Sequence, residues 1–241
     1  MKIIPINLIK ILELNMWNYN DFDERKAKII RLIKKQNPDI VALNEVADDI
    51  KLNKNGENQL KQLNKELNYP YQAFYPVEDM HEYNPEKYKH YMVLDGNAVL
   101  SKYPILKVIK KKLKKQKGDK HHRGILHVKI KTDKVFDIIV VHFSNHDVFS
   151  LLHLNETLDY ARKKLISPII IGDFNILKPE QITKLTKTSY KSSYTYKNYI
   201  TYPSKKETLD YILIPKTLKF KSLKCLKDKV SDHRALLASI A

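Results

Sequence analysis

Residues 9–15, "IKILELN", alternate with a period of two: Ile9, Ile11 and Glu13 fall on one side, and Lys10, Leu12 and Leu14 on the other. That period predicts a strand ending near Asn15. Through "DERKAKIIRLIKKQNPD" the period lengthens, and Ile29, Ile30, Leu32 and Ile33 form one helical stripe closed by Asn37 and Pro38. "DIVALNEV" then returns to a strand. Strand, helix and strand within about 45 residues make a crossover, the building block of an α/β domain.

Further along, "ENQLKQLNKELN" reads as a second helix, and residues 69–92, "YPYQAFYPVEDMHEYNPEKYKHYM", as a long aromatic loop or irregular strand region. "GNAVLSKYPI" is a strand that turns at Tyr103 and Pro104. "RGILHVKI" and "VFDIIVVHF" form a hairpin joined by the polar "KTDK". "FSLLHLNETLDYARKKLI" is an amphipathic helix, and "SPIIIGDFN" a short β-branched strand with the marks of burial on both faces. A short helix starts after Pro179. The segment "SYKSSYTYKNYITYPSKKE" is loop-like until "LDYILI", and strands follow around "LKFKSLKCL" and "SDHRALLASIA". There are no internal repeats and no Gly/Ser linker, so residues 1–241 are expected to form a single domain.

Composition narrows the class. With 43% hydrophobic residues the chain can bury one large core. No window approaches the roughly 18 consecutive apolar residues of a membrane span, and the N-terminal apolar stretch is interrupted by Lys10 and Glu13 with no small-residue cleavage site. The single cysteine, Cys225, can form no internal disulfide and no cysteine-based zinc site. A soluble, cytoplasmic chain, monomeric by default, is the expectation. The net charge of +17 suggests a polyanionic partner. Only five arginines stand beside 39 lysines, however, and arginine is the usual bidentate phosphate ligand. The charge concentrates in residues 107–123, "KVIKKKLKKQKGDKHHR", which reads either as a solvated hairpin or lysine-blunted edge strand, or as a nucleic-acid contact surface.

Polar residues recur where the predicted strands end: Asn15, Glu45, His142, Asp173 with Asn175, Asp210, and Asp232 with His233. Singly, each reads as an ordinary strand terminus or, for Asp173 and Asn175, an Asx-type turn. Carboxylates beside apolar runs are nonetheless seldom left without a partner or a metal. Glu45, Asp232 and the amide of Asn15 are hard oxygen donors suited to Mg²⁺ or Mn²⁺. Two histidines and a further carboxylate supply what phosphate-ester hydrolysis needs besides the metal: orientation of water, donors for phosphoryl charge, and proton transfer. Asp210 is placed to orient His233, as a carboxylate does for a catalytic imidazole.

In this order and at these intervals, "LNMWN", "PDIVALNEV", "GNAVLSKYPI", "VVHF", "IIIGDFN", "TYPSKKETLDYIL" and "SDHRALL" resemble the endonuclease/exonuclease/phosphatase superfamily from residue 9 to 240. The resemblance implies a four-layer α/β (α+β) sandwich, two mixed β-sheets packed face to face with helices outside, and a divalent-metal site at one edge. It also implies that Asn15 and Glu45 bind the metal with Asp232 nearby, that Asp173 positions or deprotonates water, and that Asn175 holds the scissile phosphate. His233, partnered by Asp210, resembles the transition-state histidine. His142 resembles the second histidine of the deoxyribonuclease, sphingomyelinase and deadenylase branches. Arg123 and Asn145 are the candidate substrate contacts. Two departures stand out: Asn44 replaces the usual Gln before the metal glutamate, with the expectation of a weakened outer hydrogen bond, and "SKKETL" lacks the arginine often found before the "LDYIL" strand.

The expected activity is Mg²⁺-dependent phosphodiester hydrolysis, with nucleic acid as substrate and either a nuclease or a DNA-end-processing role. The basic charge and the tyrosine-rich loops suit such a substrate. The competing readings are a phospholipid-headgroup or inositol-phosphate hydrolase and a catalytically silent nucleic-acid binder.

Overall fold

The computed structural model of the chain describes residues 8–80 and 93–241. The first half contains β1 (Ile9–Asn15), α1 (Phe22–Gln36), β2 (Ile40–Asp49), α2 (Gln59–Leu67), β3 (Tyr71–Asp79), β4 (Val93–Ser101) and β5 (Ile105–Lys112). β6 (Gly124–Lys131), β7 (Val135–His142), α3 (Asp147–Lys163), β8 (Ile169–Asp173), α4 (Pro179–Thr186) and β9 (Tyr190–Ser192) follow. A one-turn helix α5 (Ser193–Tyr196), β10 (Asp210–Pro215), β11 (Phe220–Cys225) and β12 (Leu236–Ile240) complete it. Local chemistry sets the boundaries. α1 carries Asp23 and Glu24 in its first turn and Lys34 and Lys35 in its last, complementing its dipole, and ends where Asn37 turns left-handed before Pro38.

The strands form two six-stranded sheets, β11-β12-β1-β2-β4-β3 and β5-β6-β7-β8-β10-β9. At the centre of each lies one parallel pair, β1 with β2 and β7 with β8, joined through α1 and α3; every other pairing is antiparallel. The period-two pattern divides the apolar residues between layers. Ile9, Ile11, Ile40, Ala42, Ile138, Val140, Ile169, Ile171, Ile212 and Ile214 fill the space between the sheets. Leu12, Leu14, Val41 and Leu43 face α1 and α2, while Ile139, Val141, Ile170 and Leu213 face α3 and α4. The architecture is therefore helix, sheet, sheet, helix, the α/β sandwich expected from the sequence. No described helix is long and apolar enough to cross a membrane.

Residues 71–79, expected to be loop or irregular strand, take the strand alternative: β3 is an edge strand paired along its length with β4 and packing Ala73 and Tyr75 into the inter-sheet core. Its proline is tolerated because the strand lies at an edge, and the register shifts beside it, between Pro76 and Glu78. The rest of that segment, 81–92, lies outside the described residues. Within the loop-like stretch after Thr188, residues 190–192 add β9 to the edge of the second sheet. The lysine-rich segment begins as the edge strand β5.

Candidate active site

On strand after strand, the face that is hydrocarbon in the middle of the sandwich becomes polar at one end. β1 runs Ile9, Ile11, Glu13, Asn15; β7 runs Ile138, Val140, His142; β8 runs Ile169, Ile171, Asp173; and β10, read backwards, runs Ile214, Ile212, Asp210. In the parallel pairs the ends are level, with Asn15 opposite Asn44 and His142 opposite Asp173. Asp210 is the ladder partner of Asp173. The polar ends open into a cleft of about 400 Å³ lined by Glu45, Arg123, His142, Asn145, Asp173, Asn175, Asp232 and His233.

Two irregularities bring side chains into this cleft that strand parity alone would leave out. A bulge in β2 between Leu43 and Val46 places Glu45 at φ 50°, so the residue after inward-facing Asn44 also reaches the site. Gly172 has φ 140°, and a Cβ there would lie 2.0 Å from the Val141 carbonyl oxygen. Only glycine allows β8 to approach β7 this closely just before Asp173.

The hydrogen bonds are specific. Asn15 Nδ2 donates to Glu45 Oε1 and Asp173 Oδ2, both at 3.0 Å, and Asn15 Oδ1 accepts from the Trp17 amide at 2.9 Å, which fixes the orientation of the carboxamide. Asn15 thus bridges the two carboxylates as a donor. Asn18 Nδ2 holds the other Glu45 oxygen at 3.0 Å. Asp173 Oδ1 accepts from the Asn175 amide at 3.0 Å, the Asx-type geometry expected there, and Asn175 Nδ2 donates to the Phe143 carbonyl. Burial, and then the Asp210 carboxylate, push the Asp173 pKa up to about 7, against the pull of His233.

The histidines approach Asp173 Oδ2 through their Nε2 atoms, His142 at 3.6 Å and His233 at 4.0 Å. Arg123 Nη1 lies 3.3 Å from His142 Nδ1. Guanidinium is only a donor, so Nδ1 carries the lone pair and the proton of neutral His142 is on Nε2, facing the cleft. Burial, with Arg123 and His121 nearby, holds its pKa well below the ordinary imidazole value. His233 Nδ1 meets Asp210 Oδ2 at 2.8 Å. Burial alone would lower the His233 pKa, but the charge and hydrogen bond of Asp210, then Asp173 and Asp232, hold it well above the ordinary value. These neighbours favour the imidazolium form.

Asp232 lines the same cleft, its Oδ1 accepting from Ser231 Oγ at 3.0 Å. It stands apart from the closest groups of ligand atoms, Glu45 with His142 and Asp173, and Asp173 with Asp210 and His233, each within 4.8 Å. Asn145 is exposed at the mouth. Arg123, open in sequence to a solvated reading, is buried and also bonds Glu78 Oε2 at 3.2 Å, while His121 Nδ1 meets Glu78 Oε1 at 2.8 Å.

Asn44 lies beneath the site. Its amide points across the sandwich, donating to Asn97 Oδ1 at 2.7 Å and the Val141 carbonyl at 2.8 Å and accepting from the Asp173 amide at 2.9 Å. It stitches the two sheets together beneath the site, because strand parity turns it inward while the bulge turns Glu45 to the cleft.

Sequence reading also passed over Glu13. It is fully buried, and among the described residues no donor reaches either carboxylate oxygen. Burial, and then the Asp210 and Asp173 carboxylates, push its pKa well above the usual carboxylate range, which favours its neutral form beside Asp210. The signal was present as a carboxylate in phase with Ile9 and Ile11.

The sequence matches the Endonuclease/Exonuclease/phosphatase family over residues 12–233. The chain belongs to that family. Its members are hydrolases acting on phosphoester bonds and generally use divalent metals. Among solved structures, the chain is similar to an endonuclease/exonuclease/phosphatase from Beutenbergia cavernae (TM-score 0.76, 18% identity, covering 97% of this chain and 71% of that one). It is also similar to the human Nocturnin catalytic domain with bound sulfate (TM-score 0.74, 21% identity, 97% and 93%). A third is D. rerio TDP2 complexed with single-strand DNA product (TM-score 0.71, 14% identity, 98% and 100%). At these identities the likeness is one of fold. No curated protein matches the sequence.

Proposed function

We propose that this chain is a divalent-metal-dependent phosphodiesterase acting on nucleic acid. The observation that carries the reading is the arrangement around Asp173: a carboxylate poised near neutrality, tied through Asn15 to Glu45, and faced by one neutral and one charged histidine.

The donor set fits a hard cation. Glu45, His142 and Asp173 bring ligand atoms within 4.8 Å of one another, and Asp232 adds a carboxylate in the cleft, a donor set of the kind a hard cation takes. Glu45, with Asp232, would hold the ion, and Asn15, which donates to Glu45 and Asp173, would orient Glu45. His142 is not a ligand in this scheme, since its cleft-facing nitrogen bears a proton. When bound, Mg²⁺ or Mn²⁺ supplies Lewis-acid stabilisation of phosphoryl charge.

The chain's own residues do the rest. Asp173, with a pKa of about 7, accepts a proton from the attacking water near neutral pH. The second amide hydrogen of Asn175, the Nε2–H of His142 and the imidazolium of His233 donate to the phosphoryl oxygens on which charge develops. Asp210 holds the His233 ring in place and sustains its charge. The similar fold of TDP2, which binds single-strand DNA product, supports a phosphodiester substrate; so does the net charge of +17.

The test is cleavage of labelled single- and double-stranded DNA and RNA with Mg²⁺ or Mn²⁺. Activity should vanish in chelator and fall on the order of 10³-fold in Asp173→Ala, as expected for loss of a general base. Intact nucleic acid of every form with metal-replete protein would refute the substrate assignment.

A further inference from the structure

Residues 112–120 carry five exposed lysines, Lys112, Lys114, Lys115, Lys117 and Lys120, on a backbone that is pinned at several points. Leu113 is buried in the core beneath α3, and its amide donates to the Arg123 carbonyl at 2.8 Å. Glu156 of α3 accepts from the Lys114 amide at 2.8 Å and pairs with the Lys111 ammonium. Asp119, the only acidic residue in the segment, is buried; its Oδ1 accepts from Ser144 Oγ at 2.9 Å and the His121 amide at 3.1 Å. The acid is used to fold the turn, and the cations are left outside. Among the described residues Lys112, Lys114, Lys117 and Lys120 have no acidic partner. The ridge runs from the end of β5 to Lys120, whose neighbours His121 and Arg123 line the cleft.

We propose that the 112–120 ridge is a phosphate track for nucleic acid flanking the scissile bond. The proposal rests on the phosphodiesterase reading and deepens it. A substrate with one phosphate, whether a phosphomonoester or a headgroup, is satisfied by Asn175, His142 and His233 within the cleft. Cations outside it gain contacts only when the substrate carries further phosphates beyond the one being cleaved. A row of lysines on a fixed backbone suits repeating phosphates, because ammonium groups neutralise them without demanding one geometry. The substrate class is therefore a strand of several nucleotides.

The ridge is tested by binding of a fluorescein-labelled single-stranded 20-mer oligodeoxynucleotide to the full chain in chelator, by anisotropy over a range of KCl. The triple variant Lys114→Glu, Lys115→Glu, Lys117→Glu is compared with Lys28→Glu, Lys34→Glu, Lys35→Glu on exposed positions of α1, which makes the same charge change. Thermal midpoints verify folding. The ridge variant should lose about tenfold or more in affinity at 0.1 M KCl, and its log–log salt slope should flatten by about 2, near 0.7 per lost phosphate contact. The α1 variant should retain most of both. Equal losses in the two variants, or an unchanged slope in the ridge variant, would overturn the proposal. So would ridge-dependent uptake on phosphatidylserine vesicles with no ridge-dependent oligonucleotide binding. Ridge-dependent binding without cleavage under any divalent metal would sink the phosphodiesterase reading and leave the track standing; cleavage with ridge-independent binding would do the reverse.

Discussion

His142 and His233 face one carboxylate oxygen from opposite walls of the same cleft, yet their surroundings make them different reagents. On the β7 wall Arg123 occupies the Nδ1 lone pair of His142, and a buried cation disfavours a second charge. On the β10 wall Asp210 accepts a hydrogen bond from His233 Nδ1–H and favours the charged ring. Equal burial has opposite results because the neighbour has opposite sign. One side of the site offers a neutral donor and the other a positive charge, so a substitution that conserves hydrogen bonding but not charge should separate them.

The largest expected effect is on turnover. His233→Gln keeps an amide donor and loses the charge, and should lower kcat on the order of 10²–10³-fold, the range for removing a transition-state stabiliser. His142→Gln exchanges one neutral donor for another and should cost about tenfold less than that. Matched steady-state kinetics on one oligonucleotide check this; equal losses would mean that His142 also works as a cation.

Next in size is the support beneath the shared carboxylate. Asn44→Ala removes the amide that joins Asn97, the Val141 carbonyl and the Asp173 amide. It should destabilise the fold by about 2–4 kcal/mol, because buried partners are left unsatisfied. Denaturant unfolding measures it, and a loss within 0.5 kcal/mol, roughly the noise of a surface substitution, would show that the inter-sheet stitch carries little.

The smallest effect is a pH dependence of metal-free stability. The folded pKa of His233 is raised, so the protonated ring binds more tightly in the folded state, and its contribution is fully present below the unfolded value of about 6.5. The contribution fades as pH rises through the folded pKa. In chelator, the stability gap between wild type and His233→Gln should be widest below about pH 6.5 and narrow toward alkaline pH. A gap that widened with rising pH would contradict a charged His233.

Much of this site is legible as a change of chemistry in an unbroken period. Ile9, Ile11, Glu13, Asn15 and Ile169, Ile171, Asp173 show in the sequence that the inward face of a strand turns from hydrocarbon to polar at its end. Since each strand repeats the change, the polar ends belong together. Asp210 and His233 were paired by chemistry before geometry, and they stand 2.8 Å apart. Other features were not legible. The β2 bulge that turns Glu45 toward the cleft depends on pairing with β4, and neither strand records it locally. Tyr71–Asp79 reads as loop or irregular strand because its proline and aromatics fit several conformations, and only the β4 ladder selects the strand. Arg123 is buried because Glu78, 45 positions away, supplies its counter-charge.

The sequence by itself determined most of the strand and helix order and the residue types that meet at one end of the sandwich, because periodicity and burial are local consequences of side-chain pattern; the layers followed only from the family resemblance. It also determined the family, through the ordered motifs between residues 12 and 233. Tertiary structure alone decided which nitrogen of His142 faces the cleft, which histidine its neighbours favour as a cation, and that Asn44 joins the sheets. Those properties depend on the sign and distance of groups far apart in the chain, and electrostatics in a buried site is set by neighbours in space.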